Sequence, residues 1–427
     1  MTIKDIHNCF IKSSGISIDT RKIETGDFFV ALKGDHFDAN SFASEALEKG
    51  ASYVLIDNPD FFIDQRTILV NDCLTTLQEL AAFHRKHLGL PIIALTGSNG
   101  KTTTKELINV VLSKKFNIKA TVGNLNNHIG VPITLVSFSS QTEIGIVEMG
   151  ANHQKEIAFL CSIATPDYGY ITNFGKAHLE GFGGIEGVIK GKSEMYDYLK
   201  LNSKTVFVNI DDSVQEEKTR DIEKISFSKE HTKSTVFIEE VTANPFVSIK
   251  TQGVQINSNL IGLYNADNIS AAIVIGLYFK VPIEDIKAAI ESYYPRNNRS
   301  QLIYQNSNEI ILDAYNANPS SMILALKNFV QLDKPNKIVI LGDMFELGEE
   351  SHKEHKYIVD YLKSQNSLTS HFVGKDFLSN SVESSNLFFY KDFESFQEYL
   401  RSEKNNNKTI LIKGSRGMAL ERVLEYL

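Results

Sequence analysis

An apolar run, Ile92–Leu95, leads straight into Thr96-Gly97-Ser98-Asn99-Gly100-Lys101-Thr102-Thr103-Thr104, and a helical pattern opens near Thr102. Few folds accommodate that succession. A buried strand, a glycine turn and an immediate helix form the first half of a parallel β-α-β unit. Short apolar runs alternate with helical patterns almost throughout the rest, which predicts α/β architecture with mostly parallel sheets. The first block has strand candidates at Asp27–Leu32, Tyr53–Ile56 and Ile68–Val70. The second has Ile144–Glu148, Tyr168–Thr172 and Val206–Asn209, and the third has Glu309–Leu312, Lys337–Leu341, Phe372–Val373, Leu387–Tyr390 and Thr409–Ile412. Between Ser234 and Leu260 the pattern changes to β-type alternation, predicting hairpins inserted at a sheet edge, and a helix follows at Asn265–Phe279. The short polar run Asn405–Asn407 reads as a turn.

A chain of 427 residues exceeds one compact core. Leu90-Pro91 precedes the strongest strand, and Pro295 with Asn297 and Asn298 marks a hinge. Three domains are therefore expected, over residues 1–89, 90–295 and 296–427. The formal net charge of −8 argues against a nucleic-acid binder that relies on a basic surface. Cys9, Cys73 and Cys161 share no ligand spacing and read as reduced thiols, with neither a disulfide framework nor a zinc site. No apolar run follows the charges of the N-terminus, so a signal peptide is not expected. The longest apolar stretch, Ala271–Phe279, is far short of a bilayer span. The expectation is a soluble cytoplasmic protein with no membrane insertion.

The loop after Ile92–Leu95 is built for phosphate. Its glycines let backbone N–H groups turn inward, and the helix N-terminus adds positive potential. Lys101 would neutralise terminal phosphates, and the Thr102 hydroxyl could reach a Mg²⁺ ion. Leu95 stands where the usual Walker A spacing requires glycine, so this loop is a shorter variant. Other predicted strands end in Glu148-Met149-Gly150, Thr172-Asn173, Asp313-Ala314-Tyr315-Asn316, Gly342-Asp343 and Lys413-Gly414. Any one of these endings could simply turn the chain. As a set they favour one cleft lined by the two larger domains. Glu148 and His178 are metal candidates, and a hydrogen-bonded loop histidine is the plain alternative for His178. In the helical stretch Ile185–Lys200, Lys192 falls at i+4 from Val188 and i+3 from Ile189, in the middle of the apolar face; Lys190 and Lys200 do not. Such a lysine either snorkels over apolar surface or carries a depressed pKa and becomes nucleophilic.

In order along nearly the whole chain, these residues resemble the Mur ligases. The resemblance rests on Ser17–Arg21, Gly26–Gly34, Thr96–Thr104, Gly123–Asn127, Ile129–Pro132, Val147–Ala151, Thr172–Glu180, Asp313–Met322, Leu341–Gly348 and Lys413–Arg416. It implies an N-terminal UDP-sugar-binding α/β domain, a central P-loop ATPase-like domain with a mostly parallel sheet, and a C-terminal Rossmann-like domain. The implied activity is ATP- and Mg²⁺-dependent amide ligation through an acyl phosphate. The two late segments, Asp313–Met322 and Leu341–Gly348, resemble the branch that adds D-alanyl-D-alanine to UDP-N-acetylmuramoyl-tripeptide, acting as a monomer.

By resemblance, Gly97, Ser98, Asn99, Gly100, Lys101, Thr102 and Thr103 hold ATP, together with Asn268, Arg299, Asp313 and Asn316. Lys101 serves the β- and γ-phosphates, and Arg299 approaches the γ-phosphate. Thr102, Glu148 and His178 lie around Mg²⁺, and Lys192 matches the lysine that family members carbamylate, making it a fourth metal-site residue. Lys101, Lys192, His178 and Arg299 form the implied catalytic set. Substrate contacts are implied for Asp19, Thr20, Arg21, Lys33, Gly34, Asn126, Asn127, Asp343, Lys413 and Ser415. Two positions depart from the family pattern: Tyr264 replaces a common histidine, and Asp38-Ala39-Asn40 replaces Asp-Gly-His. Alternative readings are a sibling amide ligase, either a tripeptide-forming one or a folylpolyglutamate synthetase, and a nucleotide-regulated binding module. The last leaves the inward Lys192 without a role.

Overall fold

A computed structural model describes residues 1–402 and 406–427. The first sheet runs Ile16–Ser17, Phe28–Val30, Tyr53–Ile56, Thr67–Leu69, all parallel. Helix Cys73–Leu88 follows; Asp72 caps its start by accepting from Thr75 N–H, and Gly89 ends it at φ +65°. This helix stitches the first domain to the second. The Arg85 guanidinium, 8% exposed, donates to the Ala164 and Thr165 carbonyls and to Asp167 Oδ2 at 2.7 Å. The same Asp167 oxygen accepts the N–H of Ile92, the first residue of the central strand.

Among the described residues the central sheet has seven parallel strands, ordered Val236–Phe237, Lys224–Ser228, Thr205–Asn209, Tyr168–Ile171, Ile92–Thr96, Ile144–Glu148, Ile118–Ala120. Ile92–Thr96 is fully buried and lies where the strand order reverses, so its carboxyl end opens a crevice between diverging crossovers. Helices Lys101–Leu112 and Ala266–Tyr278 pack against its apolar side chains. The alternation seen at Ser234–Leu260 becomes an antiparallel sheet, Glu240–Ala243, Phe246–Thr251 and Val254–Ile261.

The last sheet is ordered Gln301–Gln305, Asn308–Asp313, Thr409–Lys413, Lys337–Gly342, Thr369–Val373, Leu387–Tyr390. Its first pair is antiparallel and the rest parallel, a Rossmann-like arrangement with one added hairpin. The expected mixed α/β fold in three sheet-centred domains is what the chain forms. Expected strand ends shift by a few residues, Asp27–Leu32 shortening to Phe28–Val30. The turn expected at Asn405–Asn407 begins on Asn405, which lies outside the described residues. Among those residues, no helix is long and apolar enough to cross a membrane, and Cys9, Cys73 and Cys161 are free thiols.

Candidate active site

The nucleotide-type loop is shaped by two glycines that no other residue could replace without displacement. Gly97 takes φ +142°, and a Cβ there would stand 1.9 Å from Thr172 Oγ1. Gly100 takes φ +82°, and a Cβ would stand 2.5 Å from Asn268 Oδ1. Helix Lys101–Leu112 starts at once, and Lys101 Nζ donates back to Gly97 O at 2.7 Å. Burial, reinforced by the nearby Arg299 charge, holds the Lys101 pKa below the usual lysine value, against the opposing pull of Glu148.

Glu148 ends its strand 2% exposed and is clasped from both sides. Thr102 Oγ1 donates to its Oε2 at 3.0 Å, and Asn126 Nδ2 donates to its Oε1 at 2.9 Å. Segment Thr172–Gly175 backs the loop. Thr172 Oγ1 donates to Asn99 O at 2.5 Å, Asn99 N–H to Asn173 Oδ1 at 3.1 Å, and Ser98 Oγ to Gly175 O at 2.8 Å.

The facing wall comes from the C-terminal domain. Asp313 and Lys413 end adjacent strands in register and pair at 2.6 Å, with Lys413 2% exposed. The Arg299 guanidinium lies 3.6 Å from the centre of the Tyr315 ring, a stacked cation. Tyr264 Oη shares a hydrogen bond with Ser300 Oγ at 2.8 Å, and burial with the Asp313 charge drives its pKa up. Asn318 Nδ2 crosses to Asn99 Oδ1 at 2.7 Å. Between the walls lies a cavity of about 710 Å³.

The cavity gathers many of the residues singled out in the sequence: Ser98 to Thr103, Asn126, Asn127, Glu148, His178, Asn268, Arg299, Asp313, Asn316 and Lys413. Asn268 lines it with its carboxamide already engaged, accepting from Thr104 and donating to Asn265. His178 adopts φ +52°, and its Nδ1 contacts the Glu346 carboxylate, which it holds below the usual carboxylate pKa.

Other singled-out residues lie elsewhere. Gly97 shapes the loop without lining the cavity. Asp19 forms a bidentate pair with Arg21, and Lys33 pairs with Asp57 at 2.8 Å; these, with Thr20 and Gly34, stay in the first domain outside the cavity. Asp343, expected to contact substrate, turns both carboxylate oxygens onto backbone, accepting from Asp376 N–H and Phe377 N–H. Ser415 accepts from Phe345 N–H. Asp343 thus caps the start of the short helix Lys375–Leu378, and Ser415 Oγ holds the loop that follows Gly342.

Lys192 points inward, 1% exposed, whereas Lys190 and Lys200 are exposed. It does not line the cavity. Its ammonium lies 5.2 Å from the centre of the Phe182 ring and has no hydrogen-bond partner among the described residues. Burial and then the Lys101 charge hold its pKa well below that of an ordinary lysine, while Glu156 opposes them. Lys105, not among the expected site residues, is equally buried at 1%, with Nζ donating to Thr121 O at 2.7 Å and lying 3.9 Å from Glu148 Oε2. The signal was available: Lys105 shares a helix face with Ile108 and Leu112.

Comparison with known proteins places this geometry in a family. The Mur ligase family catalytic domain matches residues 12–85, the Mur ligase middle domain residues 95–276, and the Mur ligase glutamate ligase domain residues 298–416. The UDP-N-acetylmuramoyl-tripeptide–D-alanyl-D-alanine ligase of Bacillus subtilis is 33% identical, with 97% of this chain and 93% of that protein covered. A crystal structure of MurF from Acinetobacter baumannii superposes with a TM-score of 0.85 at 28% identity, covering 99% of this chain and 98% of that one. MurF from Thermotoga maritima, solved in complex with ADP, superposes at 0.84 with 26% identity and 97% coverage of each. Three domain models matched in order, and an aligned relative spanning nearly the full length, establish that this chain belongs to the Mur ligase family.

Proposed function

We propose that this chain joins D-alanyl-D-alanine to UDP-N-acetylmuramoyl-tripeptide, with ATP cleaved to ADP and phosphate. Family membership makes it an ATP-dependent amide-bond-forming ligase. The observation that carries the finer reading is the two-walled cavity, with a phosphate loop on one side and Asp313, Asn316 and Lys413 on the other, in a fold shared end to end with MurF structures. On this reading residues 1–89 take the UDP-sugar, 90–295 the nucleotide, and 296–427 the amine with part of the nucleotide.

A carboxylate is a poor electrophile until an oxygen becomes a leaving group. The γ-phosphoryl group of ATP passes to the terminal carboxylate of the tripeptide, giving an acyl phosphate and ADP. The amine of the dipeptide attacks the acyl carbon, loses a proton, and expels phosphate. Lys101 and Arg299 supply fixed positive charge beside the phosphoryl group in flight. Their approach to it costs little reorganisation, because the loop and the Tyr315 ring already hold them.

The buried Glu148 carboxylate and the Thr102 hydroxyl form a hard oxygen pair that fits Mg²⁺. That ion would neutralise charge on the β- and γ-phosphate oxygens. His178 remains a candidate through Nε2, since Nδ1 faces Glu346. Lys192 fits carbamylation: the neutral amine that its depressed pKa favours adds CO₂ and loses one proton, leaving a carbamate anion. ATP and a UDP-linked peptide are diffusible cytoplasmic compounds, so the reading is a cytoplasmic enzyme, to which the family resemblance adds that it works as a monomer.

The test is phosphate release by purified protein with ATP, Mg²⁺ and UDP-N-acetylmuramoyl-tripeptide, with and without D-alanyl-D-alanine. Release that needs both substrates, with one dipeptide incorporated per ADP, is expected. Turnover only with single amino acids or folate substrates would transfer the same chemistry to a sibling activity.

A further inference from the structure

Segment Thr172–Glu180 touches both walls of the cavity. Its first half grips the nucleotide loop through the Thr172, Asn173 and Gly175 bonds already described. Its second half grips the C-terminal domain. Lys176 N–H donates to Ser320 Oγ at 2.9 Å, Lys176 Nζ pairs with Glu354 Oε1 at 2.5 Å, and Glu180 N–H donates to Glu346 O at 3.3 Å.

The Glu354 end of the pair is unlike a surface contact. Its side chain is 4% exposed, on helix Ser351–Lys363, whereas Lys176 is 46% exposed. An ordinary exposed pair is worth under about 1 kcal/mol. A buried carboxylate left without a counter-charge is far costlier. Among the described residues, the cation within ion-pair distance of Glu354 is Lys176, and it arrives from the central domain. Moving the C-terminal domain away removes that cation, so the pair favours the arrangement in which the two walls face each other.

We propose that Lys176 is a positioning residue for ligation, locking the C-terminal domain over the nucleotide loop through Glu354. The inference rests on the ligase reading above, and on its dipeptide only for the identity of the amine. Lys176 does not line the cavity, so it acts through segment Thr172–Glu180, a strap between the walls, and not on the substrates. Nucleotide binding to the central domain does not need the lock; bringing the amine to the activated carboxylate does.

The experiment compares Lys176→Met, Glu354→Gln and the double variant, with Lys176→Arg as the conservative control. Nucleotide affinity is read by equilibrium binding of a fluorescent ATP analogue, and amine KM and kcat by phosphate release. Each single variant is expected to lose about tenfold in kcat/KM for the amine, with nucleotide affinity within about twofold of the parent. The double variant should lose no more than either single one, because both remove the same contact, and Lys176→Arg should retain most activity. Parent-like kinetics in Lys176→Met, additive losses in the double variant, or nucleotide affinity falling in step with turnover would each overturn the lock. Should the parent enzyme prefer another amine, the dipeptide assignment fails while the same comparison, run on that amine, still decides the lock.

Discussion

Replacing Lys192 with methionine should make the protein more stable and nearly inactive at once. Methionine has similar length and fills the same space without charge. The lysine is 1% exposed, its ammonium lacks a hydrogen-bond partner among the described residues, and burial with the Lys101 charge depresses its pKa. Its cost to folding has a ceiling, because the side chain can always be buried as the neutral amine. Deprotonating a free lysine of pKa about 10.4 at pH 7.5 costs about 4 kcal/mol, and that bounds the gain from Lys192→Met. At about 2–4 °C per kcal/mol for a domain of this size, the central-domain melting midpoint should rise by several degrees. Turnover should fall about 100-fold, the upper end of what is expected when a group that orders a metal site is lost. The assay is thermal unfolding in bicarbonate-free buffer beside phosphate release, with Lys192→Ala tested for partial rescue by a small carboxylate. A methionine variant that melts below the parent and keeps near-normal turnover would refute both the buried-cation argument and the carbamate role.

Lys101→Ala should abolish ADP formation while leaving the circular dichroism spectrum unchanged, since among the described residues Nζ bonds to its own loop alone; near-normal turnover would remove the phosphate-loop assignment. Gly100→Ala must hold φ near +82° with a methyl 2.5 Å from Asn268 Oδ1, so a loss of about 2 kcal/mol in chemical denaturation and weaker nucleotide binding are expected. Stability should also fall in mild acid through the buried chain from His7 to His84 to the Phe138 carbonyl, with contacts of 3.0 and 2.9 Å. Burial, then His84 and His87, lower the His7 pKa from 6.5 to about 4. The unfolded chain therefore binds the proton first, and the contribution of His7, complete above about pH 7, is lost as pH falls from 6.5 toward 4. The upper bound is about 3 kcal/mol, reduced by whatever solvent screening reaches the helix end. His7→Phe should flatten the stability–pH slope in that window, and an unchanged slope would refute the assignment.

What could be read from the sequence followed from how completely an element is buried. Ile92–Thr96, Ile144–Glu148 and Thr409–Lys413 are buried at every position, so each announced itself as an apolar run. Ile118–Ala120 at the sheet edge has only three residues and no fully buried one, and Gln301–Gln305 begins and ends in glutamine; neither carries a usable period. Lys192 was legible because helical spacing placed a charge on an apolar face. Asp343 and Asp313 looked alike at strand ends. One caps a backbone turn and the other pairs with Lys413 at the cavity, a difference made by residues distant in sequence.

The polar contacts between the two walls bear on how the chemistry is protected. An acyl phosphate hydrolyses in water, so the cavity must close around it and then release its product. Asn99 with Asn318, Lys176 with Ser320 and Glu354, and His178 with Glu346 join the walls at the cavity. The neutral Asn99–Asn318 and Lys176–Ser320 bonds are replaced by water when they part and cost little to open, so the larger share of the cost falls on the Glu354 carboxylate and its lysine. Three of these partners on the central side, Asn99, Lys176 and His178, belong to the loop and strap that frame the nucleotide. Asn99 is common to the loop and to the contact with the C-terminal domain, so a correctly set loop also presents the amide that closure uses. That ties water exclusion to the moment an activated carboxylate can form.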